Sequence, residues 1–537
     1  MSGRVMSVAG AGLAQPVKLM LAAVFGTVMM LSFAPSGAWW LTPFCMAGLF
    51  MLAPGERAAT AFRLGLAFGL GWLGGGVWWL YPGLAGYSDA GPALAFALTA
   101  ALAGYLALFP ALALAAFAGL TKRCPNYLET GVIRWSAGAA LWMLSEWTRA
   151  NLFGGIPWLL SGTAHAGTLL GALAPWAGVL GVGWVNAFVA LALADGLQTR
   201  EPCARRTALL RLATTLALVA LACTLLPLQR WTYSSGKHLS LRLIQGNISQ
   251  HDKPTPAGMA QAAGRYAMLA AETKADLTLM PETALPVAWD GIPPAVLAQW
   301  RAIARERGTA LVIGTFGAHA GKRIGTNSAV AILPDGKNGL YDYRYDKVHL
   351  VPLGEQTWPW AKWLTDQIFL NFHSLHAGGP DQPLLALAKG QVALTICFDS
   401  LFDVATADRA REAGLLVNLT NFSWFDGTYA AAQHLQAGQM RARETGRVFV
   451  QVGNSGATAI AGPDGRLRAR LPGEVYSVLD SQVEILVGKT PFMRFGNAPL
   501  LVASLTLLLY LGVRLFVEAR RARTCLAQAM LSEGNPL

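Results

Sequence analysis

Three side chains with complementary chemistry stand where predicted strands end or loops begin. Glu282 closes the apolar run "DLTLMPE", Lys347 lies within "YRYDKVHLVPLGE", and Cys397 closes "QVALTIC". A thiol becomes a nucleophile when a base removes its proton, and a carboxylate can take that proton and later return it. A lysine and a backbone N–H can stabilise the oxyanion of a tetrahedral adduct. Together the three residue types predict acyl transfer through a thioester.

Each of these residues, taken alone, also fits a structural role. A lone cysteine at a strand end is more often buried packing, a glutamate there is usually solvated or a cap, and a lysine between Asp346 and His349 is usually on the surface. Cys397 is, however, the one cysteine in the stretch 229–497, so it has no disulfide partner there. We expect an unpaired thiol in an oxidising compartment to be buried or used.

The stretch 229–497, which must position the three residues, alternates between predicted strands and helices. Strands are predicted at 238–247, 276–282, 309–316, 327–334, 391–397, 414–421, 447–453 and 456–462, and helices at 256–274, 292–307, 403–413 and 429–445. Apolar strands in repeated strand–helix units indicate sheets covered by helices, and two Pro-Asp-Gly turns add hairpins. This pattern predicts a layered α/β sandwich, a fold class in which sites assemble at strand ends.

The remainder of the chain has the composition of a membrane protein. The 537 residues are 54% hydrophobic and 13% charged, whereas an ordinary soluble domain is about 25% charged. A membrane helix needs about 20 apolar residues. Eight spans are therefore predicted, at 17–34, 37–53, 62–80, 92–120, 133–148, 168–195, 208–228 and 498–517. The predicted domains are a membrane bundle over 1–228, an exterior domain over 229–497, and a last span with its tail over 498–537.

The distribution of basic residues predicts the orientation of these spans. Arginines and lysines occupy the loops after spans two, four and six and the tail after span eight, whereas the loop 81–91 has none and the loop between spans five and six has only Arg149. By the positive-inside rule both termini are cytoplasmic, and the exterior domain lies in the periplasm of a Gram-negative cell. The net charge of +12 is partly this topological signal and does not predict nucleic-acid binding.

The sequence predicts neither a metal site nor a cofactor. His349, His373 and His376 have no carboxylate or thiolate at the spacing of metal ligands. No glycine-rich nucleotide loop follows a predicted strand and opens a helix.

The order Glu282, Lys347, Cys397 in these contexts resembles the nitrilase superfamily. The full length of the chain resembles the membrane branch of that superfamily, the apolipoprotein N-acyltransferase family. The motifs that carry the resemblance are "EWTRANLFGGIPW" (146–158), "QGNISQ" (245–250), "PETALP" (281–286), "DKVHLVPLGE" (346–355), "NLTNFSWF" (418–425), "QHLQAGQMRARETGR" (433–447) and "GNSGATAIAGPDGR" (453–466).

The resemblance implies an αββα nitrilase-like domain inserted in a membrane bundle of the bacterial inner membrane, acting as a monomer. Cys397 would take an acyl chain from a phospholipid, with Glu282 as general base and with Lys347 and the backbone N–H of Phe398 stabilising the oxyanion. The thioester would then pass the chain to the α-amine of an N-terminal diacylglyceryl-cysteine on an apolipoprotein.

The resemblance also implies supporting residues around this triad. Glu355 matches a further acid of the family, which would orient Lys347 or the substrate amine. Asn327 matches the asparagine of an "NSA" motif, and Asp399 and Trp424 occupy positions expected to support the site or contact substrate.

A tryptophan-rich segment follows Glu355 and spans residues 356–378. It holds three tryptophans and few charges. Two interpretations stay open for it. In the first, the segment contacts lipid or forms a lid over a lipid site, and in the second it packs against the membrane helices.

Five positions near the triad depart from the family pattern. Phe398 and Asp399 replace Tyr-Glu, Gln451 replaces an arginine, Phe422 replaces an acid, and Pro254 aligns with a tryptophan. Two alternative functions therefore stay open: a nitrilase-type amidase acting on another amide or amine, and a weakly active or non-catalytic membrane paralogue.

Overall fold

The computed structural model describes residues 13–123, 131–253, 255–272, 274–319, 322–337, 339–357, 359, 362–368 and 374–533. Pro254, His373 and part of the tryptophan-rich segment lie outside these described residues. Within them, a helical unit is followed by a two-sheet unit and by a last long helix.

The helical unit consists of helices that are apolar along most of their length. They are α1 (Gln15–Met30), α2 (Leu41–Leu52), α3 (Ala58–Gly69), α4 (Leu80–Tyr87), α5 (Gly91–Arg123), α6 (Gly131–Asn151), α7 (Ala174–Gln198) and α8 (Pro202–Leu225). Buried tryptophans pack at its centre, where the Trp72 and Trp142 rings stack at 5.9 Å. Apolar side chains also cover its outside, as expected for a surface that meets lipid.

Four helical segments are long and apolar enough to cross a membrane, judged by length and composition. They are Gly91–Arg123, Leu170–Gln198, Pro202–Leu228 and Ala498–Glu518, at the sites of the fourth, sixth, seventh and eighth predicted spans. The first two predicted spans fall on the shorter apolar helices Gln15–Met30 and Leu41–Leu52. The third continues from α3 into a π-helical turn, and the fifth falls on α6, which carries charges. These helices have the length and composition of membrane-spanning segments, while insertion in a membrane and the count of eight spans stay predictions.

The end of α6 differs from the sequence-based expectation, which assigns Arg149 to an exterior loop. Arg149 lies inside the helix and is 1% exposed. Its guanidinium donates to the carbonyl oxygens of Ile156 at 3.1 Å and Trp158 at 2.6 Å, and Glu146 accepts from the Ser161 N–H at 2.6 Å. The segment after α6 lacks a regular helix, so its buried backbone groups need these side-chain partners.

The second unit contains two six-stranded sheets. Its strands are β1 (Thr232–Gln245), β2 (Leu277–Leu279), β3 (Ala310–His319), β4 (Lys322–Ile332), β5 (Tyr343–Asp346), β6 (Leu385–Leu387), β7 (Gly390–Ile396), β8 (Leu415–Thr420), β9 (Val448–Gly453), β10 (Ala459–Ala461), β11 (Leu467–Arg470) and β12 (Ser477–Gly488). Its helices are α9 (Pro256–Ala271), α10 (Pro294–Arg307), α11 (Lys362–Ile368), α12 (Asp403–Ala410) and α13 (Ala430–Thr445), and α14 (Pro491–Phe495) and α15 (Ala498–Glu533) follow. The strand orders are β12-β1-β2-β3-β4-β5 and β11-β10-β9-β8-β7-β6.

The two sheets pack face to face, and helices cover their outer faces. Leu241 and Leu243 of β1 meet Leu394 of β7 and Val417 of β8 in one buried cluster between the sheets. A second cluster joins the first sheet to α9 and α10, and a third joins the second sheet to α12. These layers confirm the predicted α/β sandwich, because apolar strands need cover on both faces.

Helix α13 connects the sandwich to the helical bundle. The Glu444 carboxylate accepts from the backbone N–H of Val179 in α7 at 2.7 Å. At the other end of α13, the Trp158 indole donates to Gln433 Oε1 at 2.7 Å. The helix therefore connects the second sheet to the bundle.

Candidate active site

Glu282, Lys347 and Cys397 lie together at one edge of the two sheets. Each follows a strand: Glu282 comes three residues after β2, Lys347 directly after β5, and Cys397 directly after β7. The Lys347 ammonium donates to Glu282 Oε1 at 3.2 Å, and the Glu282 carboxylate lies close enough to the Cys397 thiol to raise its pKa. The three predicted residues thus form one connected cluster.

Cys397 adopts a backbone conformation that is unusual for a residue with a side chain. Its φ angle is +49°, at the start of a short 3₁₀ turn over Cys397–Leu401. Such a left-handed conformation costs about 1–3 kcal/mol and persists when the surroundings hold it. The sharp turn points the thiol away from the strand, towards the two other residues of the cluster.

Three donors hold the carbonyl oxygen of Cys397 and so maintain this turn. Asn418 Nδ2 of β8 lies at 3.2 Å, His434 Nε2 of α13 at 2.9 Å and Ser400 Oγ at 3.2 Å. Asn418 and His434 are buried. Both belong to sequence motifs quoted above, yet neither was singled out, because a role in holding a distant carbonyl leaves no local signal.

Glu355 and Asn327 complete the polar cluster. Asn327 Nδ2 donates to Glu282 Oε1 at 2.7 Å and to Glu355 Oε1 at 2.9 Å. Lys347 also contacts both oxygens of Glu355, at 2.9 and 2.8 Å. The amide and the ammonium therefore bridge two carboxylates that would otherwise repel each other.

The electrostatics of this cluster keep the resting cysteine protonated. Burial raises the pKa of the Cys397 thiol well above its ordinary value, and the nearby Glu282 carboxylate raises it further, against the opposing effect of Lys347. Burial lowers the pKa of Lys347, but Glu282 and Glu355 outweigh this and raise it well above its ordinary value. The lysine is thus a cation, and the thiol needs a base, which Glu282 is placed to be.

Asp399 ties the turn of the cysteine to the loop that carries Lys347. Its Oδ2 accepts from the Tyr345 hydroxyl at 2.9 Å and from the Ile396 N–H at 3.1 Å. Its Oδ1 accepts from the backbone N–H of His349 at 2.6 Å. The shorter side chain therefore reaches both segments, and Tyr345 is a second residue that the sequence did not single out.

Phe398 and Phe422 face apolar surroundings, in contrast to the polar residues they replace. Phe398 is 8% exposed, packs edge-on against Phe402 at 5.4 Å, and belongs to the apolar cluster that includes the bundle. Phe422 packs against the His434 ring at 5.0 Å. Gln451, which replaces an arginine, is buried with its Oε1 2.9 Å from His434 Nδ1.

Trp424 is not part of the polar cluster. Its ring packs edge-on against Tyr87 of α4 at 5.7 Å, and its neighbour Phe425 packs against Trp79 at 4.7 Å. The turn that carries Trp424 therefore lies between sandwich and bundle. In the tryptophan-rich segment, Trp363 is 69% exposed on α11. Among the described residues, no group of three or more histidine, cysteine or acidic side chains has the geometry to hold a metal ion.

The fold and site define a class: a carbon–nitrogen hydrolase domain joined to an apolar helical bundle. The family model described as "Carbon-nitrogen hydrolase" matches residues 240–485, and the model described as "Apolipoprotein N-acyltransferase N-terminal domain" matches residues 25–192. The first covers the two-sheet unit and the second most of the helical unit, so the nitrilase-like fold is shown for the sandwich.

Full-length relatives narrow the class to one family. An apolipoprotein N-acyltransferase of Ralstonia nicotianae is 36% identical, covering 91% of this chain and 92% of the relative. One of Chromobacterium violaceum is 35% identical, covering 93% and 94%. The chain belongs to the apolipoprotein N-acyltransferase family, as the sequence motifs indicated. Among solved structures, an amidase of the nitrilase superfamily from Nesterenkonia AN1 is 20% identical, with a TM-score of 0.35 over 49% of this chain and 96% of the amidase.

Proposed function

We propose that this chain transfers a fatty acyl chain from a membrane phospholipid to the N-terminal amine of diacylglyceryl-cysteine on apolipoproteins. The observation that carries the proposal is the buried cluster of Cys397, Glu282 and Lys347, in which the lysine donates to the glutamate, on a sandwich docked against an apolar bundle. Relatives named apolipoprotein N-acyltransferase, similar over most of both chains, support it.

The first half-reaction forms a thioester on Cys397. Glu282 takes the thiol proton, and the thiolate sulfur attacks the ester carbonyl carbon of the phospholipid. The oxyanion of the tetrahedral adduct is stabilised by the Lys347 ammonium and the backbone N–H of Phe398. When the carbon–oxygen ester bond breaks, Glu282 returns the proton to the leaving alkoxide, and a lysophospholipid departs.

The second half-reaction transfers the acyl chain to nitrogen. The neutral α-amine of the apolipoprotein attacks the thioester carbonyl, and Glu282 accepts the proton that the nitrogen loses. The carbon–sulfur bond then breaks, the amide forms, and Glu282 protonates the departing thiolate. The same oxyanion donors serve both halves, so one site performs a two-step exchange.

The supporting residues act on this cycle through position. Glu355 holds Lys347 in place by accepting from its ammonium, and Asn327 holds Glu282 and Glu355 by donating to both carboxylates. Asp399 keeps the lysine loop beside the cysteine turn. Trp424, between sandwich and bundle, would contact the lipid part of a substrate.

The proposed placement is multi-pass insertion in the bacterial inner membrane, as a monomer. Residues 1–228 form the membrane domain with seven spans, residues 229–497 the periplasmic catalytic domain, and residues 498–537 the eighth span and a cytoplasmic tail. The alternation of loops rich and poor in basic residues supports this topology, with both termini cytoplasmic.

The test of this function is acylation of the purified protein. The full chain in detergent is incubated with phospholipid and then analysed by intact mass, beside a Cys397→Ala variant. We expect the mass of one acyl chain to be added to the unaltered protein and not to the variant. Equal acylation of both proteins would refute the assignment.

A further inference from the structure

A second buried lysine, Lys253, lies near Glu282, and the scheme above does not use it. Lys253 is 2% exposed, comparable with the 1% of Lys347. Its ammonium has one hydrogen-bond acceptor in the described part of the chain, the Thr283 hydroxyl at 3.4 Å. Thr283 directly follows Glu282, so Lys253 borders the reaction site.

The two lysines differ in how their charge is neutralised. Lys347 contacts Glu282 and Glu355 at 3.2 Å or less. Glu282 and Asp426 are the acids that influence Lys253, yet neither forms an ion pair with it within the described residues. Asp426 instead accepts from the Ser455 hydroxyl at 2.6 Å. Lys253 is therefore a buried amine with unused N–H donors and no direct counter-ion, which is an arrangement that folding alone does not favour.

The loop that carries Lys253 is held firmly, so the ammonium has a fixed place. The backbone N–H of Lys253 donates to Ser249 at 3.1 Å. Asn421 Nδ2, at the end of β8, donates to Gln250 Oε1 at 3.0 Å. The His251 ring lies against Tyr87 of α4 at 4.5 Å, which places the loop beside the apolar bundle.

We infer that Lys253 binds the phosphate of the acyl donor and so holds the scissile ester over Cys397. This inference rests on the proposed function. An anion with several oxygen acceptors fits an ammonium with unused N–H groups. The phospholipid carries such a phosphodiester close to its ester bonds, whereas the acceptor amine is a cation in its resting form and would be repelled. Burial lowers the pKa of Lys253 to about 7, and a bound phosphate would restore its charge.

The first experiment compares two donors with the same acyl chain, phosphatidylglycerol and a p-nitrophenyl ester without phosphate. Acylation of Cys397 is followed by intact mass in the full chain and in Lys253→Met and Lys253→Arg. We expect Lys253→Met to raise the phosphatidylglycerol concentration that gives half of the maximal acylation rate by about 10- to 100-fold, with the maximal rate nearly unchanged. The p-nitrophenyl ester should react at the normal rate, and Lys253→Arg should retain most of the affinity.

The matched control is Lys389→Met. Lys389 is exposed, pairs with Asp276, and lies at the end of β7 opposite to Cys397. It should leave both donors unaffected. If Lys253→Met loses both donors equally, or loses neither, the inference is wrong.

A second experiment does not depend on catalysis. The thermal midpoint of Cys397→Ala is measured with glycerophosphoglycerol, the diester headgroup, and with inorganic phosphate. We expect the diester to raise the midpoint, and the added change Lys253→Met to remove that rise. If inorganic phosphate raises the midpoint and the diester does not, Lys253 binds free phosphate and not the donor. If the diester raises the midpoint equally with and without Lys253→Met, the inference is wrong. If the unaltered protein forms no thioester with either donor, the proposed function fails, and this arm still decides what Lys253 binds.

Discussion

The helical bundle and the sandwich each bury charged side chains, but they use them differently. In the bundle, Glu146 and Arg149 are both almost fully buried, and their hydrogen bonds go to the backbone and to Ser161 of the segment that follows α6. In the sandwich, Glu282, Lys347 and Glu355 converge on one another, and Glu282 also contacts a thiol. Burial of charge therefore does not by itself indicate a reaction, whereas convergence on a nucleophile does.

The largest expected effect concerns the sandwich. Glu282→Gln keeps the size of the side chain but removes the base, so thioester formation should slow by about 10²- to 10⁴-fold with the thermal midpoint nearly unchanged. Single-turnover acylation followed by intact mass measures this. Glu412→Gln, at an exposed acid that pairs with Lys489, is the control. Acylation by Glu282→Gln at the normal rate would mean that another group is the base.

The corresponding change in the bundle should affect stability and not chemistry. Arg149→Ala leaves Glu146 without its cation and two carbonyl oxygens without a donor, which should cost about 3–5 kcal/mol. The thermal midpoint in detergent should fall sharply, while the fraction that stays folded acylates normally. Arg470→Ala, on the exposed strand β11, should change the midpoint little. A folded but inactive Arg149→Ala protein would break the distinction between the two regions.

His434, on the helix between the two regions, predicts a pH dependence of stability. Burial lowers its pKa to about 4, while the unfolded chain binds that proton near pH 6.5. The unfolded state therefore binds more protons between these values, and stability falls as the pH drops from about 6.5 to 4, by up to about 3 kcal/mol. His434→Gln should show a shallower acid slope in thermal melts. Identical slopes would show that His434 is not buried in its neutral form.

The smallest expected effect is at Asp399. Asp399→Asn replaces one of the two oxygens that accept from Tyr345 and His349 by an amide nitrogen. One of these bonds is lost, so the lysine loop loosens while the triad stays chemically complete. Acylation should slow by about 10- to 100-fold, and less than in Glu282→Gln. Acylation reactions that are quenched at successive times compare Asp399→Asn with Glu282→Gln directly. A rate equal to that of the unaltered protein would remove Asp399 from its positioning role.

The sandwich was largely predictable from the sequence because its strands are strongly apolar. The strand predicted at 391–397 occurs as Gly390–Ile396, and the helix predicted at 429–445 occurs as Ala430–Thr445. Strand β12 was missed because its apolar residues alternate with Asp480 and Glu484 and its burial comes from pairing with β1. Short β2 ends before Glu282, so the base lies on a loop and not on the predicted strand.

The rest depends on contacts that the sequence does not encode locally. The motif around Cys397 predicted a nucleophile, but the left-handed turn and the donors from Asn418 and His434 arise only when β8 and α13 pack beside it. The prediction that Arg149 lies in an exterior loop was wrong. It rested on a charged residue following an apolar run, whereas the carbonyl oxygens that bind the guanidinium belong to a later segment of the chain. The sequence did not single out Lys253, because its burial arises only from packing between segments that are distant in the chain.

The most direct test of the central claim is the stoichiometry of lysophospholipid release. Phospholipid is mixed with the full chain without any apolipoprotein, and released lysophospholipid is counted against the thioester that peptide mapping finds on Cys397. We expect a burst of about one lysophospholipid per active protein that then stops, with the acyl chain on Cys397, and a second release only when a diacylglyceryl peptide with a free amine is added. Continuous release without acceptor, or release with no acyl chain on Cys397, would contradict acyl transfer through this residue.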